Sequence, residues 1–258
     1  MTDRLSDGEL RELLDFEAAR INSPAFIGED PVQFPRRFTL LQDIEIAALL
    51  SATIAWGNRK MICRNCDRLL GLMDNRPHEF LMDEGYEELP PEGNIHRTFF
   101  NRNLAAYMRG LRRIYSAHGS LAQFARDEHI ASSEAPSWRL AEGINREIAQ
   151  ANGGCADPRC LPQNLRSTAL KRLNMALRWL VRDDGIVDIG VWKGVLTPAQ
   201  LFIPLDVHVG DTARDLGLLT RRSDDRRAVE ELTGRLRAFR PDDPVLYDFA
   251  LFGIGMKL

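Results

Sequence analysis

The sequence predicts an all-α protein of roughly ten to twelve helices. Apolar residues recur at helical spacing in several runs, most clearly in STALKRLNMALRWLVR, where Leu170, Leu173, Ala176, Leu177 and Leu180 form one stripe. No run alternates apolar and polar residues at period two for more than a few positions. Prolines and glycines punctuate the periodic runs.

LSDGELRELLDFEAARI opens with a helical pattern, capped at Ser6 or Asp7. NSPAFIGEDPVQFPRRFT follows as a loop, because Pro24, Pro31 and Pro35 break any long helix. DIEIAALLSATIAW, starting at Asp43, is apolar enough for a buried helix, and NRKMICRNCDRLLGLM after Gly57 reads as a half-exposed one. RPHEFLMD and the break EELPPEGNIH lead into RTFFNRNLAAYMRGLRRIYSAHG, an amphipathic helix with a basic face. SLAQFARDEH begins another helix, and SWRLAEGINREIAQANGG after Pro136 ends at Gly153 and Gly154. The turn ADPRCLPQN precedes the strong stripe at 167–182; DDGIVDIGVWKG reads as a loop, LTPAQLFIP as a short helical turn, and VEELTGRLRAF and DPVLYDFALFGIG as the last helices. Interruption of the helical runs in mid-chain predicts one unit over 1–258 built as two lobes around a groove. One lobe is expected at 42–150, and the other is made of 1–41 and 151–258.

At 258 residues, 44% apolar and 28% charged, the chain is large enough for a substantial core. It has no apolar run of membrane-spanning length and no basic-then-apolar leader, so the cytoplasm is expected. A net charge of −3 gives no global attraction to nucleic acid. Locally, however, Arg159, Arg166, Lys171, Arg172, Arg178 and Arg182 fall in a stretch without a single acid, either a phosphate surface or a solvated helix face. The four cysteines, Cys63, Cys66, Cys155 and Cys160, have no histidine beside them and lack tight knuckle flanks. Ordinary thiols in a reducing compartment account for them, and no cofactor or metal is expected.

The segment LDVHV at 205–209 resembles the aspartate-bearing segment of the helix-hairpin-helix DNA glycosylases, the base-excision superfamily of endonuclease III and 8-oxoguanine glycosylase. IAALLSAT at 46–53 is similar to their first core helix, LPQNLRSTA at 161–169 sits where their hairpin would be, and DLGLL follows the aspartate at the family's distance. Over nearly the whole chain, IEIAALLSATIAWGNRKMI, HRTFF, KRLNMALRWLVR, PLDVHVGD and YDFALFGIG resemble the bacterial DUF2400 family. The hairpin departs from the glycosylase pattern: Gln163 and Leu165 stand where two glycines would let backbone amides approach a DNA phosphate. The chain also ends GIGMKL, without the four-cysteine cluster of an iron–sulfur glycosylase.

Base removal needs an anion near the positive charge that develops on the sugar, and Asp206, after Pro204 and at a helix start, can be held ionised there by backbone N–H groups. An ordinary N-cap has the same geometry. A glycosylase/lyase also needs an amine to form a Schiff base. The resemblance implies Lys171, which lies near the start of the strong helix, next to Arg172 and 35 residues before Asp206. It further implies that His208 meets a backbone phosphate. Trp56, Trp179 and Trp192 are the candidates to stack on a flipped base, Trp192 being the least core-like, and Asn58, Arg59 and Lys60 are placed at the mouth.

Three functions fit this reading. The first is a DNA-repair glycosylase or glycosylase/AP lyase on double-stranded DNA with a damaged base or abasic site, with Asp206 and Lys171 catalytic. The second is a non-catalytic DNA-binding protein keeping the phosphate surface of Arg166, Arg172 and His208. The third is a hydrolase of a small-molecule N-glycoside, for which an acidic protein is well suited.

Overall fold

The structure, a computed structural model, describes residues 5–258 and is predominantly α-helical. Twelve α-helices occur among the described residues: α1 (Asp7–Ile21), α2 (Pro24–Ile27), α3 (Leu41–Thr53), α4 (Arg59–Gly71), α5 (Pro77–Met82), α6 (Asn101–His118), α7 (Leu121–Asp127), α8 (Pro136–Ala151), α9 (Lys171–Val181), α10 (Val207–Asp215), α11 (Arg226–Phe239) and α12 (Tyr247–Met256). One antiparallel pair, β1 (Asn94–His96) and β2 (Phe99–Phe100), is the only strand structure among them. These strands correct the sequence expectation, which carried RTFF into a helix; segments of three and two residues are too short to show period-two alternation. The supposed loop at 22–39 also holds α2 and two 3-10 turns, Pro31–Gln33 and Pro35–Arg37.

Two compact units divide the chain. One runs from Ile27 to Leu165; the other runs from Arg166 to Leu258 and takes in the N-terminal residues up to Phe26. The first unit therefore extends beyond the 42–150 span expected from the sequence. In it α3 is buried on all sides from Ile44 to Thr53, and α6 packs on α8. Glu45, fully buried in α3, accepts from Tyr115 Oη at 3.0 Å and from the amides of Leu121 and Ala122 at 2.9 and 2.8 Å. Its charge satisfies the otherwise orphaned donors at the start of α7.

His96 is also buried in this unit. Its Nδ1 accepts from Asn65 Nδ2 at 2.8 Å and its Nε2 donates to the Trp56 carbonyl at 2.9 Å, which requires the neutral ring. Burial holds the imidazole below its ordinary pKa. Below pH ~6.5 the unfolded chain takes up a proton that the folded one refuses, so stability falls as pH drops through that region. Urea midpoints of wild type and His96→Gln are expected to converge between pH 7 and pH 5, since only the wild type carries this penalty; a constant gap would refute the assignment.

In the other unit, Ser6 rather than Asp7 caps α1: its Oγ accepts from Glu9 N at 3.3 Å and its N–H donates to Glu9 Oε2 at 2.8 Å. Leu10, Leu14, Ala18 and Ile21 form the buried stripe of α1, which packs on α12. Gly253 permits that contact, because a Cβ there would lie 2.5 Å from Ile21 Cγ1. Helix α9 begins at Lys171, later than its apolar stripe implied. Leu170 is buried but left-handed, with φ 48°, so it joins the core while holding the chain out of the helix.

Candidate functional site

Lys171 and Asp206, far apart in sequence, come together in the C-terminal unit. Lys171 is the first residue of α9, and its Nζ lies 3.6 Å from Asp206 Oδ2. Asp206 is the N-cap of α10, its Oδ1 accepting from Val209 N at 3.1 Å. One oxygen thus holds the helix start and the other faces the amine: the cap and the candidate catalytic carboxylate are the same group. The side chains are 27% and 31% exposed, enough for a ligand to reach them. Lys171 Nζ also contacts Met175 Sδ at 3.6 Å, one turn along α9.

Beneath this pair lies a charge cluster that sequence reasoning did not assign. Arg178 Nη1 donates to Asp248 Oδ2 of α12, and its Nε donates to Asp188 Oδ1 at 3.3 Å. Arg182 bonds Asp188 Oδ2, Asp184 at 3.0 Å and Asp243 at 2.9 Å. The Arg178 guanidinium lies over the Phe249 ring at 4.2 Å. Asp188 and both arginines are buried. Burial opposes the charge on Arg182, but Asp188, Asp243 and Asp184 together hold its pKa above the ordinary value. The available signals were charges within apolar runs, Arg178 inside MALRWLV and Asp248 inside YDFALFG.

For two members of the acid-free stretch these pairings overturn both readings, phosphate surface and solvated helix face. Arg178 and Arg182, counted in the acid-free stretch, spend their charge inside the unit. In the other unit, Arg109, Arg112 and Arg113 of α6 face Glu87, Glu84 and Glu147 at 2.5, 2.9 and 3.1 Å. A cleft of about 620 Å³ is lined there by these groups and Tyr86, so its walls carry balanced charge rather than a basic face. Arg166 is exposed and Arg172 half-buried, both in the unit that holds Lys171.

Trp192 is corrected as well. It is fully buried, because the loop after α9 docks on that helix's last carbonyls: Ile189 N and Gly190 N donate to Trp179 O at 2.8 and 3.2 Å, and Trp192 N donates to Leu180 O at 2.8 Å. A completely buried indole offers no face to a base, and Trp179 is equally buried. His208 is exposed in the first turn of α10. Trp56, Asn58 and Arg59 belong to the other unit. Trp56 is half-exposed with its ring against His96 at 4.5 Å, Asn58 caps α4 by accepting from Met61 N at 3.1 Å, and Arg59 pairs with Asp30 at 3.3 Å. Lys60 is exposed beside them.

The hairpin segment runs between α8 and α9, which belong to different units. Asn145 Nδ2 of α8 donates to Pro162 O at 2.9 Å, and Gln163 and Leu165 keep negative φ. The only left-handed residue between Cys155 and Lys171 is Leu170. Among the described residues no group of three or more histidine, cysteine or acidic side chains is arranged to hold a metal ion, and no helix is long and apolar enough to cross a membrane.

Comparison with curated proteins and with solved structures gave no match. A family model described as a protein of unknown function, DUF2400, matches residues 30–257. With most of its length matched, the chain belongs to the DUF2400 family.

Proposed function

We propose that this protein is a DNA base-excision glycosylase, with the amine for a glycosylase/AP-lyase reaction. The approach of Lys171 Nζ to Asp206 Oδ2, at 3.6 Å and open to ligand, carries the reading. Asp206, ionised at the start of α10, offsets the positive charge that grows on the sugar as the N-glycosidic bond stretches. Once its ammonium has given a proton to solvent, Lys171 attacks C1′ with the nitrogen lone pair, and the base leaves with the electrons of the broken C1′–N bond and takes up a proton from solvent. The adduct nitrogen gives one proton to solvent and passes its other to O4′ as the C1′–O4′ bond breaks, which leaves an imine between Nζ and C1′. Exposed Arg166 and His208, with half-buried Arg172, supply phosphate-binding groups in the same unit.

Borohydride added to the protein with abasic-site or damaged-base duplexes is expected to trap a covalent protein–DNA complex. Base release without trapping would make it a water-using glycosylase; neither, over a broad lesion panel, would refute the reading.

The neutralised arginines of α6 and α9 favour a second reading, hydrolysis of a small-molecule N-glycoside at the same pair. Base release from free nucleosides together with inert duplex DNA would select it.

A further inference from the structure

Helix α4 opens against its own dipole. Arg59 and Lys60 stand in a first turn that holds no acid, although a helix N-terminus already carries positive charge. Lys60, Arg64 and Arg68 then recur every fourth residue, so they line one face over about 12 Å, and all three are exposed. Asp67 is the one acid of the helix, and Arg37 bridges it at 2.6 Å. Arg59 is likewise matched, by Asp30 at 3.3 Å.

The hairpin adds a fourth cation to this face. Strand β1 lies along α4 in the opposite direction: Arg68 donates to the carbonyls of Asn94 and Ile95 at 2.9 and 2.5 Å, Asn65 donates to His96, and Arg97 reaches Gly57, just ahead of the helix. Two unusual backbone positions put it there. Arg97 is left-handed at φ 49°, in a turn closed by Asn94 Nδ2 donating to Arg97 O at 2.7 Å. Gly57, at φ 96°, leaves the room that the guanidinium uses, since a Cβ there would lie 2.5 Å from Arg97 Nη1. An exposed arginine kept in a conformation that costs energy points to a role outside the fold.

We propose that Lys60, Arg64, Arg68 and Arg97 form a docking face for the phosphate backbone of double-stranded DNA. The face lies outside the unit of Lys171 and Asp206, and it serves a DNA-binding protein with or without their chemistry. Lys60, Arg64 and Arg97 have no carboxylate partner among the described residues, and Arg68 donates to uncharged carbonyls, so the four charges stand uncompensated. Over about 12 Å one strand of a duplex presents about three or four phosphates, at ~3.4 Å axial spacing. Three of the four cations are arginines, whose planar fork takes two phosphate oxygens at once. Between Arg59 and Gly71 no large apolar side chain is exposed, which leaves nothing to enter a bilayer.

Fluorescence anisotropy of a labelled, undamaged duplex, titrated at several salt concentrations, reads the face directly. Log K is expected to fall with log salt, and Arg64→Ala and Arg97→Gly are each expected to reduce the slope by about 0.9, the contribution of one phosphate contact. The loss is expected to be the same for duplexes of unrelated sequence, because phosphates carry none. Arg126→Ala, which removes an exposed cation of α7 in the same unit, controls for net charge and is expected to leave the slope unchanged. Glycine relieves the left-handed strain, so the urea midpoint of Arg97→Gly is expected to equal or exceed that of the wild type. A lower midpoint with an unchanged slope would make Arg97 a brace of the hairpin and overturn the proposal. Slopes unchanged in Arg64→Ala, or reduced as much in Arg126→Ala, overturn it equally, as does binding to phosphatidylserine vesicles without binding to the duplex. Slope losses with neither base release nor imine trapping would refute the glycosylase reading alone, and unchanged slopes beside intact trapping would refute only the docking face.

Discussion

Replacing Asp188 by asparagine is expected to destabilise the C-terminal unit by about 3 kcal/mol, toward the low end of the range for breaking a buried ion pair. Arg178 lies in the last turn of α9 and Arg182 at its C-terminal cap, both buried, and Asp188 gives one oxygen to each. Burial pushes the Asp188 carboxyl above its ordinary pKa, against the pull of both guanidiniums. Removing its charge leaves two like charges facing each other with the amide in between, which cannot compensate them. Asp248, Asp184 and Asp243 still engage the two arginines, which keeps the loss from being larger. An exposed pair provides the contrast: Glu230→Gln, which breaks the Arg226–Glu230 contact on the surface of α11, is expected to change stability by less than about 0.5 kcal/mol. Urea denaturation followed by the fluorescence of buried Trp179 and Trp192 reads both variants. Equal midpoints for the two would show that the cluster contributes no more than a surface pair.

How much of this was legible in the sequence depended on range. Local rules worked: a polar pair ahead of an apolar-periodic run placed the first helix start at Ser6 or Asp7, and the apolar run around Ile46 specified a buried helix. The start of α10 at Asp206 followed from a carboxylate placed before a helical run. Leu170 misled because periodicity records which side chains enter the core and says nothing of φ. Trp192 misled for a related reason: a glycine-bearing, acidic segment looks exposed, yet this one is bound backbone to backbone along the end of α9. Counting charge along the chain failed wherever partners lie far away in sequence, as with Arg178 and Asp248 or Arg109 and Glu87. The approach of Lys171 to Asp206 came from resemblance and chain order, because no spacing rule links residues 35 positions apart.

The same pair gives the largest expected effect on chemistry, and two substitutions separate the roles of its members. Asp206→Asn keeps a side-chain acceptor for Val209 N, and asparagine ranks with aspartate as a cap, so stability is expected to stay within a few tenths of a kcal/mol. Only the charge toward Lys171 is lost. If the protein is the glycosylase proposed above, that charge is needed most as the oxocarbenium ion forms, so base release is expected to slow by on the order of 100- to 1000-fold while affinity for DNA changes little. Lys171→Ala removes a part-exposed side chain and is expected to leave the fold intact and abolish the borohydride-trapped complex. Single-turnover base release and trapping, measured on both variants beside the wild type, resolve the two functions. Base release that proceeds at the wild-type rate in Asp206→Asn would leave Asp206 as the cap of α10 and nothing more, and trapping that persists in Lys171→Ala would place the nucleophile on another amine.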